Sequence, residues 1–203
     1  MIKKILYSIG NLTGIALFTF LCMAAFLSYQ KTHSLFSFNI IVVNGLILIL
    51  YLIRREPEAL IELPFAWLIS IGTTLLPFLF RPVQDAFIPE LIMIGKWLQV
   101  VGLLAMIGSL LSLKGSMGIV PANRGIKKGG GYRIVRHPLY AAELFFFTGY
   151  VLSNQSIFNL SLLLLLFAGQ YSRSRIEENF LITDPDYKLY MACTRYRFIP
   201  GLL

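Results

Sequence analysis

Six apolar stretches, most of them close to bilayer-crossing length, constrain this chain more than any other feature. They cover about residues 5–27, 35–53, 64–80, 88–113, 139–153 and 157–171. A helix needs roughly 20 apolar residues to cross the hydrocarbon core. Apart from a closed barrel, no other element satisfies its own backbone there. Hydrophobic residues make up 57% of the chain and charged residues 14%, which is too apolar for an ordinary soluble domain. The expected fold class is therefore all-α, a polytopic helical membrane protein with about six transmembrane helices. Residues 1–113 supply about four spans, and residues 114–203 form a second region with a polar loop, a helical hairpin and a tail.

The punctuation fits this division. Arg54-Arg55-Glu56-Pro57 stops the second stretch, Pro64 suits the first turn of the third, and Arg81-Pro82 follows its end. Lys96, inside the fourth, is expected to reach toward an interface. Met1-Ile2-Lys3-Lys4 followed by an apolar run imitates a signal peptide. The run is too long and lacks a cleavage site, so it reads as a retained span. The last two stretches, joined only by Asn154-Gln155-Ser156, predict a helical hairpin. The second of them continues as a helix to about Ile182, where Asp184-Pro185-Asp186 breaks it. The tail from Tyr187 is expected on the cytoplasmic surface.

A net charge of +8 invites a nucleic-acid reading, but membrane topology explains the placement of the charges better. With both termini inside, the inner segments hold fifteen Lys and Arg and the outer loops hold two, Lys31 and Arg81. That asymmetry is the one membrane topology produces. It puts the 114–138 loop and the polar end of the last helix on one, cytoplasmic side. Cys22 and Cys193 are too few for a disulfide framework or a zinc site, and no metal is called for.

Chemistry is expected where polarity meets the apolar stretches. Gly129-Gly130-Gly131 lets the backbone approach a ligand. Pro138 ends the loop and opens the next helix, so Leu139 and Tyr140 offer free N–H groups at a positive helix end, a seat for a carboxylate. His137 offers two ring nitrogens. Glu143, one turn into an apolar helix, must face the interior or a cavity, against Arg136, a cationic ligand or another polar group. Arg173 and Glu177 are i,i+4 neighbours on a helix and Arg175 and Glu178 i,i+3, a spacing that also suits surface ion pairs.

The order Gly-x-Tyr-Arg-x-Val-Arg-His-Pro-x-Tyr, an apolar hairpin, Arg-x-x-x-Glu-Glu-x-x-Leu, Pro-x-Tyr-x-x-Tyr and a final Arg-Phe-Ile-Pro-Gly resembles the isoprenylcysteine carboxyl methyltransferase and phospholipid methyltransferase group of membrane enzymes. The resemblance covers about residues 114–203. It implies a cytoplasmic C-terminal pocket for S-adenosyl-L-methionine and a lipid or prenylated acceptor entering from the membrane. By motif, Tyr132, His137, Pro138, Leu139 and Tyr140 contact the cofactor, Arg124, Gly125, Ile126 and Lys127 line its other side, and Glu178 holds it. Arg173 takes the place of the arginine that binds the acceptor's carboxylate, so Arg173, Glu177 and Glu178 form the catalytic set. An ionised carboxylate needs orientation and exclusion of water but no general base. An amine acceptor must lose a proton, which Glu177 or Glu143 would take. Three alternatives stay open: N-methylation of phosphatidylethanolamine, an NADPH-dependent sterol-type reductase, and a non-enzymatic transporter or scaffold.

Overall fold

Each apolar stretch folds as a helix, and from the second onward each starts at a cap or a proline. The computed structural model describes residues 2–83 and 87–202, with side chains from Tyr7 onward. The side chains of Lys3 and Lys4, which the charge count includes, lie outside the described residues. Helix α1 covers Ile2–Thr32, α2 Leu35–Leu52, α3 Pro64–Leu75, α4 Glu90–Leu113, α5 Pro138–Ser153, α6 Ile157–Leu181 and α7 Pro185–Cys193. Ser34 accepts from the Ser37 N–H at 3.1 Å to open α2, and Ser156 accepts from the Asn159 N–H at 3.0 Å to open α6. Pro64 and Pro138 stand at the first turns of α3 and α5, where an N–H would go unpaired anyway. Asp184 ends α6 and also caps α7, accepting from the Asp186 N–H at 2.8 Å.

Two boundaries differ from expectation. The third stretch is an α-helix only to Leu75. A 3₁₀ turn over Leu76–Leu79 completes it, because Pro77 has no N–H to give the α pattern. Helix α1 runs beyond Leu27 to Thr32.

Helices α1 to α6 run alternately between two ends of the molecule. At the basic end, the Tyr7 hydroxyl donates to the Arg54 carbonyl at 2.9 Å, and the Arg55 N–H donates to the Gly115 carbonyl at 2.8 Å. A two-residue strand, β1 (Ala59–Leu60), pairs antiparallel with β2 (Ala122–Asn123) and clips the two loops of that end together. At the opposite end, Asn159 accepts from the Arg81 N–H at 3.1 Å and returns its amide to the Arg81 carbonyl at 2.8 Å. Residues 81–83 are thereby tied to the α5–α6 link.

The molecule is apolar outside and polar at selected points inside. Phe20, Leu104 and Leu164 are each more than 60% exposed on helix faces, whereas Asn39, Asn44, Gln99, Asn159 and Gln170 are buried. A bilayer would cover the first set. Three helices, α1 from Tyr7, α2, and α4 with its extension to Ser116, are long and apolar enough to cross a membrane.

The chain neighbours α5 and α6 do form an antiparallel pair, but α5 packs most closely on α4, and α6 packs against α3 as much as against α5. The α4–α5 contact depends on glycine. A Cβ on Gly149 would lie 2.6 Å from the Gly95 carbonyl oxygen and 2.8 Å from the Gln99 nitrogen, both backbone atoms that cannot swing aside. Gly149→Ala is therefore expected to cost about 1–3 kcal/mol by overpacking. Gly45→Ala, where a Cβ meets nothing within 4 Å, should be neutral or stabilising. Thermal unfolding in detergent compares the two variants, and equal melting temperatures would contradict the close approach.

Candidate active site

Two loops and a helix end converge at the basic end. The 114–137 segment leaves α4 through a 3₁₀ turn at Lys114–Ser116, crosses as β2, and turns again over Gly130–Arg133. Gly130 sits at φ +59°, a region side chains avoid, and a Cβ there would strike the Ser112 hydroxyl. Pro138 then starts α5, leaving Arg136 and His137 outside the helix, beside the tail. Their N–H groups donate to the Tyr196 and Arg197 carbonyls, each at 2.9 Å. The tail is therefore built into the site, a closer role than the expected surface position.

Glu178 is the hub of this region. It is 4% exposed and accepts from Arg136 Nε at 2.8 Å, pairs with His137 Nε2 at 3.0 Å, and accepts from Arg197 Nη2 at 2.5 Å. Burial alone would raise its pKa. The hydrogen bonds from His137, Arg197 and Arg136 outweigh that and hold the carboxyl well below its usual range. The same carboxylate raises Arg197 above the ordinary guanidinium value. Arg136 also donates to the Thr194 carbonyl at 3.0 Å and to the Arg195 carbonyl. Residues 136–137, 178 and 194–197 are thus locked together.

Glu177, one residue earlier, faces the other way. The Tyr140 hydroxyl donates to it at 2.9 Å, and His137 stacks flat on the Tyr140 ring with centroids 5.2 Å apart. Arg173 lies over the opposite part of this group, 4.9 Å from the Tyr140 ring centre. It donates through Nη2 to the Ile119 carbonyl at 2.8 Å, and its buried Nε has no partner. The i,i+4 and i,i+3 ion pairs that the spacing allows do not form: Arg173 is 5% exposed and turned into the bundle, while Arg175 is exposed. Glu143 finds another polar group, accepting from the Gln170 amide.

These residues border two adjoining cavities. The smaller, about 70 Å³, is lined by Arg124, Gly125, Ile126 and Lys127 on one side and by Tyr187 and Tyr190 on the other. The larger, about 160 Å³, runs between α1, α2, α3, α4, α5 and α6. Its walls are mainly apolar, among them Phe18, Val43, Met106, Leu110 and Phe147, with Arg173, Glu143 and Asn44 as polar points. Tyr132, Arg136, His137 and Glu177 border both. Of the other residues expected at the cofactor, Leu139 and Tyr140 line the larger cavity, while Pro138 and Glu178 line neither.

Sequence reasoning gave no role to Arg197, Tyr187 or Tyr190, although the Arg-Phe-Ile-Pro-Gly and Pro-x-Tyr-x-x-Tyr motifs flagged them. The Tyr190 hydroxyl donates to the Tyr132 carbonyl at 2.7 Å, which ties α7 to the glycine turn. Arg54 and Ile119 carried no motif signal at all.

The apolar helical bundle thus carries a polar, half-enclosed site at one end, open to an apolar cavity. Residues 89–184 match the family model described as phospholipid methyltransferase. This part of the chain, from α4 to the end of α6, belongs to the isoprenylcysteine carboxyl methyltransferase and phospholipid methyltransferase family of membrane methyltransferases. No curated protein matches the chain.

Proposed function

We propose that this protein is a multi-pass membrane methyltransferase that uses S-adenosyl-L-methionine to methylate the carboxylate of a lipid-like, isoprenylcysteine-type acceptor. The observation that carries the reading is the junction of a small polar cavity with a large apolar one at Tyr132, Arg136, His137 and Glu177. The smaller cavity is the more polar of the two in its lining residues. Its tyrosines suit a planar base. Glu177, at its border, suits a positive centre. When bound, the cofactor supplies a methyl group on a sulfonium centre open to displacement.

The chain's own residues would orient and shield. Arg173, free of any carboxylate partner among the described residues, would fix the acceptor's anion at the cavity junction. The apolar walls would take the acceptor's tail and keep water out. The Glu178 hub would hold His137 and Arg136 in place. We further propose that six helices span the bilayer and that the basic end and both termini face the cytoplasm. Arg54, Arg55, the basic residues of 114–136, Arg173, Arg175 and those of the tail all lie at that end, and Lys31 and Arg81 at the other.

A second reading, N-methylation of a phospholipid amine, has its own support, because Glu143 and Glu177 both line the larger cavity and either could accept a proton there. Thermal titration of the purified protein tests the shared part. S-adenosylhomocysteine should raise the melting temperature by mass action, and NADPH should not. A response to NADPH alone overturns the methyltransferase reading. Methyl transfer to a prenylcysteine analogue against phosphatidylethanolamine then separates the two acceptors.

A further inference from the structure

Every arginine at the Glu178 hub has a carboxylate partner; two at the neighbouring rim have none. Arg54, just beyond α2, and Arg124, just beyond β2, reach the same spot. Arg124 Nη1 would lie 2.8 Å, and Arg54 Nη2 3.1 Å, from a Cβ placed on Gly118. Among the described residues neither forms an ion pair, and the Nε of each is buried without a partner. Arg124 is 6% exposed, and Arg54 stacks over the Tyr51 ring at 4.7 Å. Burial and the nearby Arg54 draw Arg124 down to about 10. Two like charges held together, one of them out of water, are costly unless an anion joins them.

The surroundings indicate which anion. Leu52 and Ile53, immediately before Arg54, are 65% and 59% exposed, at the end of a helix apolar and long enough to span a bilayer. They form an acyl-facing surface ending at a pair of guanidinium forks. Planar forks match phosphate oxygens, and basic pockets between membrane helices are where lipid headgroups seat. We propose that Arg54 and Arg124 form a binding site for the phosphate of an anionic membrane phospholipid, with its chains along Leu52 and Ile53. The site adjoins the acceptor position, since Gly118 borders the larger cavity, but it uses a different pair of arginines and does not depend on which molecule is methylated.

The test uses the full chain in a non-ionic detergent, with melting temperature as the readout. Phosphatidylglycerol in mixed micelles should raise it by several degrees. Arg54→Gln should abolish that rise, and so should Gly118→Ala, which keeps both charges but pushes the flexible guanidinium ends apart. Arg55→Gln removes an exposed charge one residue away and should leave the rise intact. An equal loss in Arg55→Gln would reduce the site to diffuse surface charge and overturn the proposal, as would a full rise in Arg54→Gln. Oleate as effective as phosphatidylglycerol would remove the phosphate from it. Inorganic phosphate as effective would make the ligand a free anion and not a lipid. If Arg54→Gln abolished the response to S-adenosylhomocysteine while keeping that to the lipid, the pair would belong to the cofactor cavity and the proposal would fall. The methyltransferase reading would still stand.

Discussion

Glutamine in place of Glu178 is expected to lower the melting temperature of the solubilised protein by roughly 10 °C and to abolish its response to S-adenosylhomocysteine. The side chain keeps its shape but loses the charge that Arg136, His137 and Arg197 share. Removing one member of a buried charged network costs about 3–5 kcal/mol, since the remaining charges stay uncompensated. For a chain of this length that corresponds to roughly 10 °C. Glu178→Asp keeps the charge but cannot reach all three partners, and should fall between the two. A pH series checks the electrostatic origin. The folded carboxyl titrates well below its normal range, so its contribution is complete above the unfolded value of about 4.3 and is lost as pH falls through the folded one. Stability of the wild type should therefore fall in acid, below about pH 4, more steeply than that of Glu178→Gln. A change of less than about 2 °C at neutral pH would show that Glu178 is not the hub.

The helices were legible in the sequence because their causes are local. Ser34, Ser156 and Asp184 are caps, Pro64 and Pro138 are first-turn prolines, and the apolar runs between them have few other ways to fold. Pro77 was equally visible, but its effect depends on whether a helix bends through it or ends, and that is decided by neighbours. The meeting of the 129–140 loop with the Arg/Glu segment of α6 could be expected from a three-residue hairpin link. The partners could not be expected. Arg136 and Glu178 are 42 residues apart, and Arg197 reaches Glu178 from a tail with no apolar pattern. Side-chain direction was also hidden: Arg173 and Arg175 look alike in sequence, and only packing sends one inward. The first three helices, which carry no recognisable motif, prove to wall the larger cavity through Phe18, Val43, Asn44 and Thr74. They shape the greasy side of the site, where many apolar sequences serve equally well and no fixed motif is required.

That difference between two arginines leads to the sharpest test of acceptor chemistry. Arg173→Gln should lower kcat/KM for an anionic acceptor about a hundredfold or more, the loss that follows when one partner of a buried charge-assisted contact is removed. The S-adenosylhomocysteine response should survive, because Arg173 lines the larger cavity and not the smaller. Arg175→Gln, at an exposed position two residues on, should change neither. Arg173→Lys should recover only part of the activity, since a point charge replaces a planar fork that also donates to the Ile119 carbonyl. The variant also separates the two acceptor classes. A carboxylate needs the guanidinium to hold it in place, whereas an ammonium headgroup is repelled by a cation and does not need one to bind. Turnover of an amine acceptor that survives Arg173→Gln, together with its loss in Glu177→Gln or Glu143→Gln, would move the assignment from carboxyl to amine methylation. Loss of the cofactor response in a well-folded Arg173→Gln protein would instead mean that the two cavities hold the opposite ligands.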